Sequence, residues 1–300
     1  MNFLNTLVVK TLPFIPKPIV GTVARRYIAG ETLADAMNTV RYLNSGNAMA
    51  TVDVLGEDIL TQDQAIDSTY HSVEVLNAIA KHSLNANLSV KLTSLGLKME
   101  KQFCIGNVDE IVLTAKRQNN FVRIDMEDHT CTDDTLETYR VMRSRHDNVG
   151  IVIQAYLLRS ENDIRALAAE KANVRLCKGI YNEPPDVAIK DRVGIQQNYL
   201  TLLRLLFDAG CYVGIATHDD VLIDGAKKMI ADMKLQKHQY EFQMLLGVRD
   251  EKRKQLIADG HRLRVYVPFG RDWYGYSVRR LKENPQMAGH IVKAMFGIGQ

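Results

Sequence analysis

The sequence predicts a closed (β/α)8 barrel, an α/β fold of the TIM type, preceded by an N-terminal helical segment. Short runs of strand-forming residues recur, and a polar turn and a longer helical stretch follow each run. The runs lie near residues 48–55, 86–92, 121–126, 149–155, 173–178, 211–216, 240–245 and 263–268. Runs such as 150–156 and 212–217 are continuous rather than alternating, as in strands that helices cover on both faces. A barrel of this type commonly uses about 250 residues as one domain, and a doubly wound open sheet is the structural alternative.

The segments between the strands have the spacing of amphipathic helices. One apolar stripe consists of Leu200, Leu203, Leu206 and Phe207. It precedes Gly210, a residue type that commonly ends helices. An earlier stripe consists of Ile66, Val73, Leu76 and Ile79. We expect both stripes to pack against the barrel.

Residues 1–44 are interpreted as an N-terminal helical arm and residues 45–300 as the barrel domain. No linker, low-complexity segment or sequence repeat divides residues 45–300. The arm has no acidic residue before Glu31, which permits either peripheral contact with a membrane surface or an ordinary packed helix pair. We expect the packed pair.

The composition argues against several classes of function. The chain has 38 Lys and Arg residues against 35 Asp and Glu, a formal net charge of +3, which is too small to suggest nucleic acid as a partner. The four cysteines have no zinc-site spacing and fit free thiols in a reducing cytosol. No apolar run approaches the roughly 18 residues of a membrane span. We expect a cytoplasmic protein that makes, at most, peripheral contact with the inner face of the cell membrane.

Polar residues end or follow the predicted strands. In a barrel the C-terminal ends of all strands share one face, so residues that are distant in sequence converge there. In strand order these residues are Glu57, Lys91, Asp125, Gln154, Arg175, Lys178, Tyr181, Thr217, His218, Glu241, Gln243 and Tyr266. Charges at such a mouth are costly unless they are paired or bound to a ligand. Their convergence therefore predicts a functional site.

Each of these charges also has a structural interpretation. Lys91 alone fits a lysine that extends its ammonium group to solvent, and Asp125 alone fits a helix N-cap. Arg175 and Lys178 fit either a structural salt bridge or a phosphate or pyrophosphate site.

Two adjacent arginines, Arg279 and Arg280, follow the last strand on a charged helix. Their long side chains can converge on one small carboxylate, because each guanidinium offers paired N–H donors. Aromatic residues one turn upstream would form the wall of such a site. An exposed basic helix face is the alternative.

A divalent metal site is a further alternative at the strand ends. The candidate ligands are Asp125, Glu127, Asp128, His129, His218 and Asp219. Carboxylate and imidazole groups suit such ions, but the cations of Lys91, Arg175 and Lys178 would oppose one. No GxGxxG motif follows a strand, so a nucleotide would have to be held by other means.

Taken in order, the strand ends resemble the proline dehydrogenase family over nearly the whole chain. The most specific matches are residues 266–281, 174–181 and 216–219, with support from 123–127 and 240–243. The resemblance implies a flavin-dependent barrel that oxidises L-proline to 1-pyrroline-5-carboxylate. It implies noncovalently bound FAD as the cofactor, a membrane quinone as electron acceptor, and a product that a separate pyrroline-5-carboxylate dehydrogenase can take.

The resemblance also implies roles for individual residues. The proline carboxylate would be bound by Lys91, Arg279 and Arg280. Asp125 would balance the charge of Lys91, and Glu57 would pair with Arg279 to close the site. The side chains that would pack around the pyrrolidine ring are Tyr181, Leu245, Tyr266 and Tyr276. The residues that match FAD contacts are Asp125, Met126, Gln154, Arg175, Cys177, Lys178, Gly179, Thr217, His218 and Glu283.

Two other functions stay open at this point. One is a metal-dependent barrel aldolase, isomerase or hydrolase, and the other is a noncatalytic barrel that binds an anion. The identity of a bound flavin separates them from the oxidase, because neither alternative needs one.

Overall fold

The computed structural model describes residues 21, 26–56 and 59–277, which form a closed barrel of parallel strands. The strands are β1 Met49–Val54, β2 Ala86–Val90, β3 Val122–Ile124, β4 Val149–Gln154, β5 Val174–Cys177, β6 Val213–Ala216, β7 Tyr240–Leu245 and β8 Leu263–Phe269. The helices are α1 Leu33–Ser45, α2 Gln62–Lys81, α3 Lys101–Arg117, α4 Thr132–Arg145, α5 Ser160–Ala169, α6 Arg192–Asp208, α7 Asp220–Asp232 and α8 Asp250–Ala258.

The strand pairing confirms the predicted fold. Each strand pairs with its neighbour in sequence, and β1 pairs with both β2 and β8, so the sheet has no open edge. The doubly wound open sheet is therefore wrong. Every observed strand lies within the run that predicted it, except that β8 extends by one residue to Phe269.

Helix α1 packs against the barrel before the first strand begins. Thr32 and Asp35 form a reciprocal capping box at its start, which satisfies backbone N–H groups that a helix leaves free. Its buried face contacts β1 and β8 and consists of Ala36, Met37, Val40 and Leu43. Helix α1 thus covers the seam where the barrel closes, while most of the proposed N-terminal arm lies outside the described residues.

The two faces of each strand have opposite chemistry. Apolar residues such as Ile124, Ile151 and Phe242 are fully buried in the main core, which lies between the strands and the helices. The alternate positions point into the barrel, because side chains alternate along a strand. Many of these inner positions are polar, and Arg123 and Glu241 are among the most buried.

Glycines on neighbouring strands make room for the long inner side chains. A Cβ atom at Gly150 would lie 2.5 Å from Nη1 of Arg123 and 2.6 Å from the carbonyl oxygen of Asn173. A Cβ atom at Gly214 would lie 2.4 Å from Nε2 of Gln243. The continuous appearance of β4 and β6 in the sequence therefore reflects glycines that face the interior.

One helical stripe is confirmed, and the other is partly wrong. Helix α6 buries Leu203, Leu206 and Phe207 and ends two residues before Gly210, which has a positive φ of 72°. Helix α2 buries Leu76 and Ile79, whereas Ile66 is half exposed. The buried face of α2 is rotated toward Ala65, Thr69 and Ser72, small and polar residues that the apolar pattern did not include.

Within residues 21, 26–56 and 59–277, no helix has the combination of length and apolar character that crossing a membrane requires. The four cysteines form no disulfide bond.

We predict that Gly150→Ala destabilises the protein by about 1 to 3 kcal/mol, because the added methyl group overpacks the space that Arg123 occupies. The measurement is the free energy of unfolding in urea. Gly106→Ala is the matched control: Gly106 lies on the exposed side of α3 with no atom within 4 Å of an added Cβ, and it should gain about 0.5 to 1 kcal/mol from helix propensity. Equal effects of the two substitutions would contradict the prediction.

Candidate functional site

Polar side chains inside the barrel form one continuous chain of hydrogen bonds. The chain starts near the N-terminal ends of the strands and reaches the C-terminal mouth. Its members are Arg264, Tyr212, Glu241, Gln243, Arg175, Ser89, Asp125, Tyr266, Lys91 and Asp53. They come from five of the eight strands, β1, β2, β5, β7 and β8, and from residues directly beside β2, β3 and β6, so the closed barrel is what brings them together.

At the N-terminal end of the barrel, this chain of hydrogen bonds begins with a buried ion pair between Arg264 and Glu241. Nε and Nη2 of Arg264 lie 2.6 and 3.1 Å from the two carboxylate oxygens, and the Tyr212 hydroxyl donates to one of them at 2.7 Å. Burial alone would raise the pKa of Glu241, but the charge and hydrogen bonds of Arg264, together with Tyr212 and Gln243, hold it at about 2. Glu241 is therefore ionised at neutral pH.

Gln243 joins this pair to Arg175. Its Nε2 donates to Glu241 at 2.6 Å, and its Oε1 accepts from Nε of Arg175 at 2.5 Å. Nη1 of Arg175 then donates to Oδ1 of Asp125 at 2.7 Å and to the Ser89 hydroxyl at 3.2 Å. Arg175 is thus fixed on two sides by groups from β7, β2 and the end of β3.

Tyr266 links Asp125 to Lys91 at the mouth. Its hydroxyl donates to Oδ2 of Asp125 at 2.8 Å and lies 3.4 Å from Nζ of Lys91. Burial, followed by the carboxylates of Asp125 and Asp53, raises the pKa of Tyr266 well above its usual value. The hydroxyl therefore keeps its proton, and the guanidinium carbon of Arg175 lies 5.4 Å from the centre of the tyrosine ring.

Lys91 pairs with Asp53. Nζ lies 2.8 Å from both carboxylate oxygens, and both side chains are nearly buried. Burial raises the pKa of Asp53 and the nearby Asp125 adds to this, while Lys91 opposes both. The expectation that Asp125 balances Lys91 is thus corrected: Asp53 forms the ion pair with Lys91, and Asp125 forms one with Arg175.

Three of the four residues expected to surround the substrate ring, Leu245, Tyr266 and Tyr276, lie near one another. Leu245 is the strand partner of Tyr266, so these two are adjacent. Tyr276 is buried with Ile28 and Leu55 and lies close enough to Tyr266 to help raise its pKa. Tyr181 lies in the loop after β5 and is half-buried.

The residues expected at the cofactor cluster at the ends of β3 to β6. Met126 and Gln154 are buried, and Nε2 of Gln154 donates to the carbonyl of Glu127 at 2.8 Å. Thr217 accepts a bond from the backbone of Asp219, and Nε2 of His218 accepts one from the backbone of Leu245 at 3.0 Å. His218 therefore ties the end of β6 to the end of β7.

Three residues expected to contact the cofactor, Cys177, Lys178 and Gly179, lie at the end of β5 and are partly exposed. Lys178 lies 3.3 Å from Asp219 while 40% of its side chain stays exposed. Gly179 has a φ of 113°, and a Cβ atom there would lie 2.1 Å from the Tyr156 ring. Burial raises the pKa of Cys177 to about 12, which leaves its thiol protonated and unreactive.

This donor set fits FAD. The exposed cations of Lys178 and Arg192 stand beside the ends of β5 and β6, where they suit a pyrophosphate. The buried guanidinium of Arg175 provides a fixed positive charge of the kind that stabilises a reduced flavin.

Four expected site residues, Glu57, Arg279, Arg280 and Glu283, lie outside the described residues. Their roles stay predictions.

The sequence alone did not single out Asp53 or Ser89 as site residues, and it gave Gln243 and the Glu241–Arg264 pair no role. The signal that could have found them is alternation: polar residues occupy every second position in Thr51–Val52–Asp53 and Arg264–Val265–Tyr266. Continuous apolar runs elsewhere in the sheet concealed this pattern.

The proposed metal ligands do not converge. Asp125 pairs with Arg175, Asp128 caps the turn at Thr130, and His129 contacts Glu183. Across the described ranges, no group of three His, Cys, Asp or Glu residues is arranged to hold a metal ion.

A cavity of about 540 Å³ opens at the opposite, N-terminal end of the barrel. Its lining includes Arg123, Glu241 and Arg264. Glu241 and Arg264 are paired with each other, and Nη1 and Nη2 of Arg123 donate to groups of Ile151 and Asn173. These charged groups at the N-terminal end therefore already have partners within the protein.

Comparisons with known proteins agree on one family. The proline dehydrogenase family model matches residues 36–293. Proline dehydrogenase 1 of Bacillus subtilis strain 168 is 40% identical over 272 residues, which cover 91% of this chain and 90% of that protein. Proline dehydrogenase of Deinococcus radiodurans is 36% identical over 277 residues, which cover 91% and 89%.

A solved structure shares the fold. Proline utilization A from Bdellovibrio bacteriovorus, in a crystal structure of the protein inactivated by N-propargylglycine, superposes with a TM-score of 0.85 at 24% sequence identity. The match covers 93% of this chain and 36% of that longer chain.

We predict that Glu241→Gln destabilises the protein by about 3 to 5 kcal/mol at pH 7, because it leaves Arg264 buried without its partner. The folded-state pKa of Glu241, about 2, lies below its ordinary value of 4.5, so its contribution is present above pH 4.5 and is lost as the pH falls toward 2. The difference between wild type and variant, measured by urea unfolding, should shrink by about 2 kcal/mol between pH 7 and pH 3.

Glu161→Gln is the control for this pH dependence. Glu161 forms an exposed pair with Arg165, and its loss should cost less than about 1 kcal/mol at either pH. A cost of Glu241→Gln that does not change with pH would contradict the prediction.

Proposed function

Since the chain belongs to the proline dehydrogenase family and acts on proline in the first step of proline catabolism, we propose that the reaction takes place at the C-terminal mouth of the barrel, with FAD as the electron acceptor. The observation that carries the proposal is the interlocked group of Lys91, Tyr266, Asp125 and Arg175, with two cations and a protonated hydroxyl held in place inside the barrel.

Lys91 provides the positive charge for the substrate carboxylate. Its ammonium group lies at the mouth, and Asp53 holds it from one side with two 2.8 Å contacts. We propose that Arg279 and Arg280 complete this carboxylate site and that Glu57 pairs with Arg279 to close it. Three cations around one carboxylate would fix the position of proline.

The apolar part of the substrate needs a wall. Leu245 and Tyr266 are adjacent at the strand ends, with Tyr276 near them. We propose that these three residues and Tyr181 pack around the pyrrolidine ring. Because Tyr266 also donates to Asp125, its ring has a fixed orientation.

The oxidation removes two electrons and two protons across the carbon–nitrogen bond of the ring. FAD, when bound, supplies the acceptor for both electrons. The contacts proposed for it come from Met126, Gln154, Arg175, Cys177, Lys178, Gly179, Thr217, His218 and Glu283, with Asp125 beside them. If the amine arrives neutral, the protein mainly orients the reactants and excludes water.

The fate of the electrons and of the product is also part of the proposal. A quinone would reoxidise the cofactor, with peripheral contact at the inner face of the cell membrane. Residues 1–44 would be the N-terminal helical arm, whose helix α1 packs against the barrel domain of residues 45–300. A separate pyrroline-5-carboxylate dehydrogenase would take the product. The family resemblance supports these steps.

We predict that the purified protein is yellow and that anaerobic L-proline bleaches its flavin absorbance. Heating should release the flavin into solution, where chromatography identifies FAD. A colourless protein that takes up no added FAD and that gains activity with a divalent cation would support the metal-dependent alternative and contradict the proposal.

We predict that Lys91→Met raises KM for proline at least tenfold, since a charge-assisted hydrogen bond contributes about 1.5 to 3 kcal/mol. Steady-state kinetics with a soluble quinone analogue gives KM, and circular dichroism checks the fold. The control is Lys254→Met, since 74% of the Lys254 side chain is exposed in a pair with Glu251. An unchanged KM in Lys91→Met would remove Lys91 from the carboxylate site.

A further inference from the structure

The orientation of Arg175 depends on a side-chain amide that has two different ends. In Gln243 the oxygen accepts from Nε of Arg175 at 2.5 Å, and the nitrogen donates to Glu241 at 2.6 Å. If the amide turned over, its N–H2 group would face the N–H of Arg175, and two donors would meet. The correct bond to Arg175 therefore requires that Gln243 keep one of its two orientations.

Glu241 determines that orientation. An ionised carboxylate accepts hydrogen bonds and has no hydrogen to donate. Two N–H groups of Arg264 and the Tyr212 hydroxyl keep Glu241 in this ionised form. Glu241 is 1% exposed and Gln243 is 6% exposed, so both groups depend mainly on protein partners for their hydrogen bonds. The N–H2 end must point to Glu241, and the oxygen must then point to Arg175.

The hydrogen bonds of Arg175 determine which of its nitrogens can contact a ligand. Nη1 donates to Asp125 and Ser89, and Nε donates to Gln243. In the part of the chain that the structure describes, Nη2 makes no hydrogen bond. This nitrogen is the one that Arg175 can offer to a ligand.

We propose that Glu241, held by Arg264, is a positioning residue that fixes the Gln243 amide and, through it, the guanidinium plane of Arg175. The part of this inference that concerns the flavin rests on the proposed function. Neither Glu241 nor Arg264 needs to touch a ligand, since both lie in the N-terminal half of the barrel and act through Gln243.

The first test needs neither flavin nor substrate. The Nε–H signal of Arg175 in a ¹H–¹⁵N correlation spectrum is identified by its loss in Arg175→Lys, and its exchange with water is then measured. Because Glu241→Gln leaves a buried arginine unpaired, the test uses the double variant Glu241→Gln/Arg264→Gln, which removes both charges, and circular dichroism checks its fold. We expect exchange at least tenfold faster than in wild type.

Gly150→Ala is the matched control for this measurement. An added Cβ atom there would meet Arg123, Asn173 and Phe121, and none of these residues belongs to the hydrogen-bonded group of Arg264, Glu241, Gln243 and Arg175. Exchange of the Arg175 signal should stay within twofold of wild type in this variant. Unchanged exchange in the double variant would overturn the proposal, whether or not the protein oxidises proline.

The second test uses the flavin-loaded protein and stopped-flow reduction by proline. Gln243→Met and the Glu241→Gln/Arg264→Gln variant should each lower the limiting rate of flavin reduction about tenfold. The proline concentration that gives half of this limiting rate should stay within twofold of wild type. Adding Gln243→Met to the double variant should slow it no further, because residues that act through one another are not additive. If the triple variant instead lost reduction rate by the product of the two separate factors, Glu241 would act independently of Gln243, and the proposal would be overturned. A wild-type protein without flavin would instead overturn the proposed function.

Discussion

Burial of ionised groups inside the barrel is the constraint on which the rest of the structure depends. An unpaired charge in such a place costs several kcal/mol, so every charge there must find a partner with good geometry. The protein meets most of this requirement with one chain of contacts that begins at Arg264 and Glu241 and ends at Lys91 and Asp53. Arg123 instead donates to the carbonyl oxygens of Ile151 and Asn173. A substitution in the N-terminal half of the barrel therefore acts on the same hydrogen-bond network that holds the residues at the C-terminal mouth.

This arrangement divides the work between the two faces of the sheet. The outer faces are apolar and pack on the helices, which supplies the hydrophobic stabilisation of the fold. The inner faces supply few apolar contacts and instead fix polar groups at defined distances. Functional groups on strands are held more rigidly than groups on loops, and this rigidity suits a reaction in which the protein mainly orients its reactants.

The fold could be predicted from the sequence because parallel strands between helices leave short apolar runs that turns separate. The site could be predicted only in part. Lys91, Asp125, Arg175 and Tyr266 follow from strand-end position and family resemblance, but their pairing does not, since it depends on barrel register. Asp53 shows the difference: the register of β1 against β2 sets Asp53 opposite Ser89, which places its carboxylate 2.8 Å from Lys91.

The most direct measurement is a crystal structure of the protein with FAD and a proline analogue that cannot be oxidised. The account predicts that the carboxylate of the analogue contacts Nζ of Lys91 and that the flavin ring lies against Arg175. An analogue or flavin bound in the cavity at the N-terminal end of the barrel, with the group around Lys91 free of ligand, would contradict it.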